Sequence, residues 1–308
     1  MQKDLQFCFC YGILNRLKSI IAVYMEKKVM KAFQKVLFAL QADMQNPTPY
    51  GWYHWLWIVL GVVAVALLYS QRRHAGEKQL TWVLGVYGGV ALLTELLKQL
   101  SWTLSVNEST GFLVLDYQWY AAPFQLCTTP IYVSLLCLLL KKGKLREHLL
   151  SYLAFITISG GLMTMLIPTS CFTSDILVNI HTMWLHCGSL VVSVYLLMSK
   201  TVPVTLKSLR YAAVTFLCTA GIALLLNVVI YHSGFLDGET FNMFYISPYF
   251  ISELPVFSTI QQAVPYPVFL AAYLIALLLG SGIVYAVARL ILRSTNHVNH
   301  GCEAPVHN

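Results

Sequence analysis

The chain has 308 residues, of which 57% are hydrophobic and only 11% are charged. This composition excludes an ordinary soluble domain, and it also excludes a disordered chain, which would be poor in apolar residues. The net charge of +7 does not indicate a nucleic-acid partner, because the basic residues lie beside long apolar runs and not in one patch. The sequence therefore predicts an integral membrane protein whose partners are membrane lipids.

Seven apolar runs are long enough to cross a membrane, which takes about 20 helical residues. They are Trp52–Ser70, Leu80–Ser105, Tyr117–Leu140, His148–Pro168, Val178–Ser199, Ser208–Tyr231 and Pro267–Leu292. We predict an all-α fold, a polytopic transmembrane helical bundle of about seven spans over residues 49–294. An amphipathic N-terminal segment over residues 1–48 precedes the bundle, and a cytoplasmic tail over residues 295–308 follows it.

Lysine and arginine predict the topology, because they accumulate in the short loops on the cytoplasmic side. The loops that carry them alternate with three connections that carry none, at residues 106–116, 169–177 and 232–266. These three connections are therefore predicted to lie outside. The prediction is a multi-pass protein of the cell membrane with a cytoplasmic C-terminus.

The N-terminal segment conflicts with this topology, because an odd number of spans places it outside although it is rich in basic residues. They are Lys3, Arg16, Lys18, Lys27, Lys28, Lys31 and Lys35. Their alternation with apolar residues is typical of an interfacial helix. Three explanations stay open: a further span hidden in Leu5–Tyr24, a helix on the outer leaflet, or a translation start at Met30.

Ionisable side chains inside spans are the candidate functional residues, because each costs about 2.5–3.5 kcal/mol on insertion and usually faces the protein interior. In the second run Glu95, Lys98 and Gln99 follow the i, i+3, i+4 spacing of one helical face. This spacing predicts an internal salt bridge, or a Glu95 carboxylate that orients a histidine on a neighbouring helix.

The fifth run carries His181 and His186, which lie about 140° apart around a helix and so chelate a metal poorly. The sequence predicts no metal and no cofactor. His186, about 12 Å below the start of its span, is the predicted general base. His181 lies nearer the surface and is predicted to be structural or lipid-interfacial, and His54 lies in an aromatic girdle at the interface.

The third run holds Gln125, Cys127 and Thr128 between two prolines. If the run is helical, Thr128 shares the face of Gln125 whereas Cys127 lies about 200° away. By depth, the polar groups of four spans converge on the outer half of the membrane, and they are Glu95, Lys98, Gln125, Cys127, His186 and Asn227. We predict one polar pocket that opens outward or into the outer leaflet. The connection 232–266, which carries Asn242, is predicted to be a packed lid or re-entrant segment over it, or only a cap.

Several motifs resemble the YwaF-like integral membrane family of bacteria over about Tyr50–Arg293. They are Trp52-Tyr-His-Trp55, Pro123-Phe-Gln-Leu-Cys127, His186, Asn227 and Phe241-Asn-Met-Phe-Tyr-Ile-Ser-Pro248. That family is distantly similar to a vertebrate transmembrane acyltransferase that loads polyunsaturated acyl groups onto ether phospholipids. The acyltransferase is in turn similar to the androgen-induced hydrolases of fatty-acid esters, which use a threonine and a histidine.

The resemblance implies acyl transfer or ester hydrolysis. Position by position, the essential histidine of the acyltransferase corresponds to His186. Its nucleophilic cysteine corresponds to Phe124, and the histidine that follows it corresponds to Gln125. The chain therefore departs from the family at the expected nucleophile, although Cys127 lies one helical turn away.

Two functions follow as hypotheses. The first is an enzyme acting on lipid acyl groups, with His186 as base, Cys127 or Thr128 as nucleophile, Gln125 as oxyanion donor and Glu95 as the orienting group. Its pocket is predicted to contain Lys98, Gln99, Asn227, Asn242 and His181. The alternative is a non-enzymatic protein that binds or transports a lipid or small molecule, although transport would need polar groups in the inner halves of the spans. Polar packing between helices without any site is the third interpretation.

Overall fold

The computed structural model describes residues 27–72, 76–107, 109–110, 112–168 and 171–301, with side chains from residue 32 to residue 293. The further span considered at Leu5–Tyr24 lies outside these residues. Within them the chain is mostly helical, and the long connections are the main exceptions.

The helices are α1 Lys27–Leu40, α2 Trp52–Ser70, α3 Glu77–Thr103, α4 Thr129–Leu139, α5 Lys144–Phe155, α6 Thr157–Leu166, α7 Ile176–Met198, α8 Leu206–Ser233, α9 Pro255–Ala263 and α10 Tyr266–Gly301. A short antiparallel hairpin, β1 Leu104–Val106 with β2 Leu113–Leu115, follows α3. Single 3-10 turns lie at Trp119–Ala121 and Met243–Tyr245.

In the described part of the chain, six helical segments are long and apolar enough to cross a membrane. They are α2, α3, α5 with α6, α7, α8 and the Tyr266–Arg293 part of α10. The shorter apolar helix α4 accompanies them. The predicted all-α polytopic bundle is confirmed.

The third predicted span is wrong in its first half. The run Tyr117–Leu140 is helical only over Thr129–Leu139, and residues 122–128 form an irregular approach to it. Pro130 stands in the first turn of α4, where a proline lacks no hydrogen bond and its fixed φ suits the helix. The predicted rotation of Cys127 away from Gln125 assumed a helix here, so it does not apply.

The core lies where α3, α5, α7 and α8 pack together. Its largest fully buried side chains include Tyr152, Phe155, Tyr195 and Phe216. Between α5 and α6 two hydroxyls converge on one carbonyl, because Thr157 Oγ1 and Ser193 Oγ donate to Leu153 O at 2.7 and 2.6 Å. These bonds satisfy a backbone group at the junction of the two helices.

Long connections gather at one end of the bundle, which we call the loop-rich end. It comprises residues 41–51, 104–128, 167–175 and 234–265. The N-terminal segment is tied to this end: Met44 N–H donates to Ser174 O at 2.7 Å and Ile176 N–H donates to Ala42 O at 3.1 Å. Gln41 Nε2 also donates to the carbonyls of Ser101 and Leu104. This end corresponds to the predicted outer side, and its orientation in the cell stays a prediction.

Candidate functional site

A buried acidic residue on α3 faces a histidine on α7 close to the loop-rich end. Glu95 Oε2 lies 2.7 Å from His181 Nε2. The two residues are only 1% and 3% exposed. A carboxylate and an imidazole at this distance in an apolar bundle form a strongly coupled pair, because little water screens them.

The other oxygen of Glu95 is engaged by its own helix. Lys98 Nζ lies 2.9 Å from Oε1, and Gln99 Nε2 donates to the same atom at 2.8 Å. The prediction that Glu95, Lys98 and Gln99 share one helical face is therefore confirmed, and both predicted contacts of Glu95 are present. The carboxylate forms an internal salt bridge and contacts a histidine of the neighbouring helix.

The second nitrogen of the His181 ring meets a hydroxyl. Thr94 Oγ1 lies 2.9 Å from His181 Nδ1, so adjacent residues of α3 engage opposite sides of one ring. Thr94 Oγ1 also lies 3.0 Å from Val90 O and 3.1 Å from Ala91 O. We call Thr94, Glu95, Lys98, Gln99 and His181 the Glu95 cluster.

Contacts at the helix ends set the register of α3 against α7. Asp175 caps α7 by accepting from Val178 N–H at 3.0 Å, and Trp102 Nε1 donates to the same carboxylate at 3.3 Å. Gln99 Nε2 donates in addition to Ala121 O at 2.7 Å, which fastens α3 to the approach to α4. These bonds hold Glu95 and His181 at one height.

His186 takes no part in the Glu95 cluster. It is half-buried, and its ring lies beside the backbone of Gly160 of α6. The expected pairing of Glu95 with His186 is therefore wrong. The reason is the rotation of about 140° between the two histidines, which turns His186 toward α6 when His181 faces α3.

Two of the predicted site residues, the amides Gln125 and Asn227, bind backbone groups of the connection 232–266. Gln125 Nε2 donates to Asn242 O at 3.0 Å and its Oε1 accepts from Phe244 N–H at 2.8 Å. Asn227 Nδ2 donates to Met243 O at 3.0 Å and its Oδ1 accepts from Met243 N–H at 2.7 Å. We call this arrangement the amide clamp.

The clamped segment enters the bundle. Met243, Phe244 and Ile246 are fully buried, so the connection is packed at this point, as the sequence predicted. Asn242 fixes the turn from within, since it accepts from Ser247 N–H at 2.8 Å and donates to Ile251 O at 3.1 Å. Phe124, which stands at the nucleophile position of the resembling acyltransferase, stacks on Phe244 with ring centres 5.9 Å apart.

The two predicted nucleophiles lie in different surroundings. Thr128 Oγ1 accepts from Gln125 N–H at 2.8 Å and donates to Gln125 O at 3.1 Å, so this hydroxyl closes its own turn. The Cys127 thiol is half-buried, forms no disulfide, and lies within electrostatic range of Lys98 and Glu95. Cys127 therefore lies near the Glu95 cluster, whereas Thr128 serves the amide clamp.

Thr94 is the contact residue that sequence reasoning missed. A threonine within an apolar helix most often bonds its own i−4 carbonyl, so nothing in the sequence singles it out. Among the described residues, no group of three or more His, Cys, Asp or Glu side chains is placed to hold a metal ion.

Comparison with known proteins adds one finding. A sequence model of the TMEM164 family matches residues 49–285, which include the Glu95 cluster and the amide clamp. No curated protein and no solved structure matches the chain.

Proposed function

The chain belongs to the TMEM164 family, and from that premise we propose that it is a membrane-embedded enzyme acting on the acyl esters of lipids. The buried pair of Glu95 and His181, 2.7 Å apart, is the observation that carries this proposal. Acyl transfer and ester hydrolysis both need a group that takes a proton from the attacking nucleophile and later returns it to the leaving group.

The surroundings of His181 suit that role. A carboxylate on one ring nitrogen fixes the orientation of the imidazole and stabilises the imidazolium that forms when the other nitrogen takes a proton. Lys98 Nζ lies 2.9 Å from Glu95 Oε1, so the positive charge of the lysine offsets the negative charge of the carboxylate before the reaction begins. His181 thus takes the role that the sequence alone assigned to His186.

A lipid substrate agrees with the location of the pair. Glu95 and His181 lie within helices that are long and apolar enough to span a membrane, close to the loop-rich end. An ester at the junction between acyl chains and headgroup lies at a comparable depth. The resemblance of the Pro123–Cys127 and Phe241–Pro248 motifs to YwaF-like proteins, and through them to acyl-ester enzymes, supports the same chemistry.

The test compares the two histidines directly. The wild type, His181→Gln and His186→Gln are expressed in cells that lack the protein, and the acyl composition of their phospholipids is measured by mass spectrometry. We expect His181→Gln to lose about 100-fold or more of the acyl exchange or release, as for removal of a general base, and His186→Gln to retain it. Equal yield and equal melting temperature of the purified variants control for folding.

Two outcomes would contradict the proposal. An acyl profile that is unchanged both by deletion and by overexpression of the wild type would remove the enzymatic function. Loss of activity in His186→Gln but not in His181→Gln would transfer the role of base to His186.

Lipid binding without turnover is the second candidate, and one observation favours it. The Glu95 carboxylate is engaged by Lys98, Gln99 and His181 together, and a saturated network of this kind also occurs where it only rigidifies a core. Native mass spectrometry of the purified wild type separates the two: retained intact diacyl lipid supports binding, whereas release of free fatty acid or lysolipid supports catalysis.

A further inference from the structure

We propose that Thr94 is the nucleophile of this site, so that Thr94, His181 and Glu95 form a hydroxyl, imidazole and carboxylate triad. The inference deepens the proposed function and rests on it for the substrate. Thr94 Oγ1 lies 2.9 Å from Nδ1 of His181, and Glu95 Oε2 lies 2.7 Å from Nε2 of the same ring. A nucleophile within hydrogen-bond reach of a base, with the base oriented by a third group, is the geometry of covalent acyl catalysis.

The three side chains are buried together. Thr94, Glu95 and His181 are 8%, 1% and 3% exposed, so bulk water does not compete for the hydroxyl. The competing hydroxyl of Thr128 is occupied within its own turn by the backbone of Gln125. In the described part of the chain, Thr94 is therefore the hydroxyl-bearing residue that lies within hydrogen-bond distance of the His181 ring.

The Thr94 hydroxyl has two partners, His181 Nδ1 and Val90 O. The two corresponding orientations suit His181 before and after it takes a proton. When its hydroxyl donates to His181 Nδ1, the ring is neutral and its proton is on Nε2, the atom that lies 2.7 Å from Glu95 Oε2. When the hydroxyl donates to Val90 O at 3.0 Å, it can accept from a protonated Nδ1, as it would beside the imidazolium formed during proton transfer. The hydroxyl can thus rotate between these partners without leaving its place.

The reaction that follows is balanced. Thr94 Oγ1 attacks the ester carbonyl carbon of a lipid while its proton passes to His181 Nδ1. The tetrahedral intermediate expels the lipid alcohol, which takes that proton, and an acyl ester of Thr94 remains. Water or the free hydroxyl of a lysophospholipid then attacks this ester, with His181 again taking and returning one proton.

The experiment uses the full-length protein in lipid nanodiscs with two readouts. One is release of radiolabelled fatty acid from phosphatidylcholine, and the other is covalent labelling by a fluorophosphonate probe, with the modified residue identified by mass spectrometry. We expect Thr94→Val to lose labelling and at least about 100-fold of the release, and Thr94→Ser to keep both. Thr215→Val is the matched control, because Thr215 is also 8% exposed and bonds its i−4 carbonyl at 3.1 Å.

The outcomes separate this inference from the proposed function. If the wild type releases fatty acid and Thr94→Val does so equally, or if labelling moves to Cys127, the nucleophile assignment is overturned while the acyl-ester function stands. If the wild type is labelled at Thr94 but turns over no lipid ester, the nucleophile stands and the substrate class is wrong. If the wild type shows neither labelling nor release, both are overturned.

Discussion

Asn227 holds the backbone of Met243 through both polar atoms of its side chain, donating to the carbonyl at 3.0 Å and accepting from the N–H at 2.7 Å. The peptide groups that it satisfies are buried, and the next two residues, Phe244 and Tyr245, adopt a left-handed φ of 58°. Non-glycine residues in this region persist only where their surroundings hold them. Asn227 is thus a structural anchor of the re-entrant segment.

Replacement of this anchor is expected to destabilise the fold. Asn227→Leu removes both bonds: the buried Met243 N–H loses its partner, at about 1–3 kcal/mol, and the Met243 carbonyl keeps only the longer bond from Ile246 N–H at 3.4 Å. We expect the free energy of unfolding in detergent to fall by about 2–5 kcal/mol. Gln262→Leu, which removes only an exposed bond to Ser258 O, is expected to change it by less than about 0.5 kcal/mol. Equal stability of the two variants would show that the clamp does not hold the segment.

The two halves of the amide clamp are expected to be coupled. Gln125 binds Asn242 and Phe244, the residues on either side of Met243, so either substitution alone releases much of the same segment. The double variant Gln125→Leu with Asn227→Leu is therefore expected to lose less stability than the sum of the single variants, by about 0.5–3 kcal/mol. Denaturation of the four proteins gives this difference directly, and strict additivity would mean that the two amides stabilise independent elements.

Part of this architecture follows from the sequence because the signals are local. Apolar length alone predicts the membrane-spanning helices, and the i, i+3, i+4 spacing predicts the contacts of Glu95 with Lys98 and Gln99. The irregular approach to α4 was missed, because an apolar run looks continuous even where Pro123 and Pro130 delay the helix. Which of His181 and His186 lies beside Glu95 depends on which neighbouring helix each face of α7 packs against. The angle between the two residues on α7 does not determine this packing.

Charge compensation inside the Glu95 cluster leads to a third prediction. Lys98→Met leaves a nearly fully buried carboxylate without its cation, and breaking a buried pair costs about 3–5 kcal/mol. Replacing both charges, as in Glu95→Gln with Lys98→Met, removes the unpaired charge and is expected to restore most of that loss. The measurement is a double-variant cycle by thermal denaturation in detergent. A double variant that is less stable than Lys98→Met would contradict a neutralising role for Lys98.

The contact of α6 with α7 depends on a glycine that has no room for a side chain. A Cβ added at Gly161 would lie 2.6 Å from the His186 carbonyl oxygen and 3.0 Å from Ser189 Oγ. The first contact is with backbone and cannot be relieved by a change of rotamer, so the helices would have to separate. We expect Gly161→Ala to lower the free energy of unfolding by about 1–3 kcal/mol, as for overpacking elsewhere.

Gly160, the preceding residue on the same helix, is the matched control. A Cβ there would meet nothing within 4 Å, and alanine favours the helix by about 0.8–1.0 kcal/mol over glycine. We therefore expect Gly160→Ala to leave stability unchanged or to raise it, when both variants are unfolded side by side in the same detergent. If both alanines behave alike, close approach to the His186 carbonyl is not what fixes α6 against α7. If only Gly161→Ala is destabilised, the backbone contact is confirmed, and with it the packing that turns His186 toward α6 and leaves His181 to face Glu95.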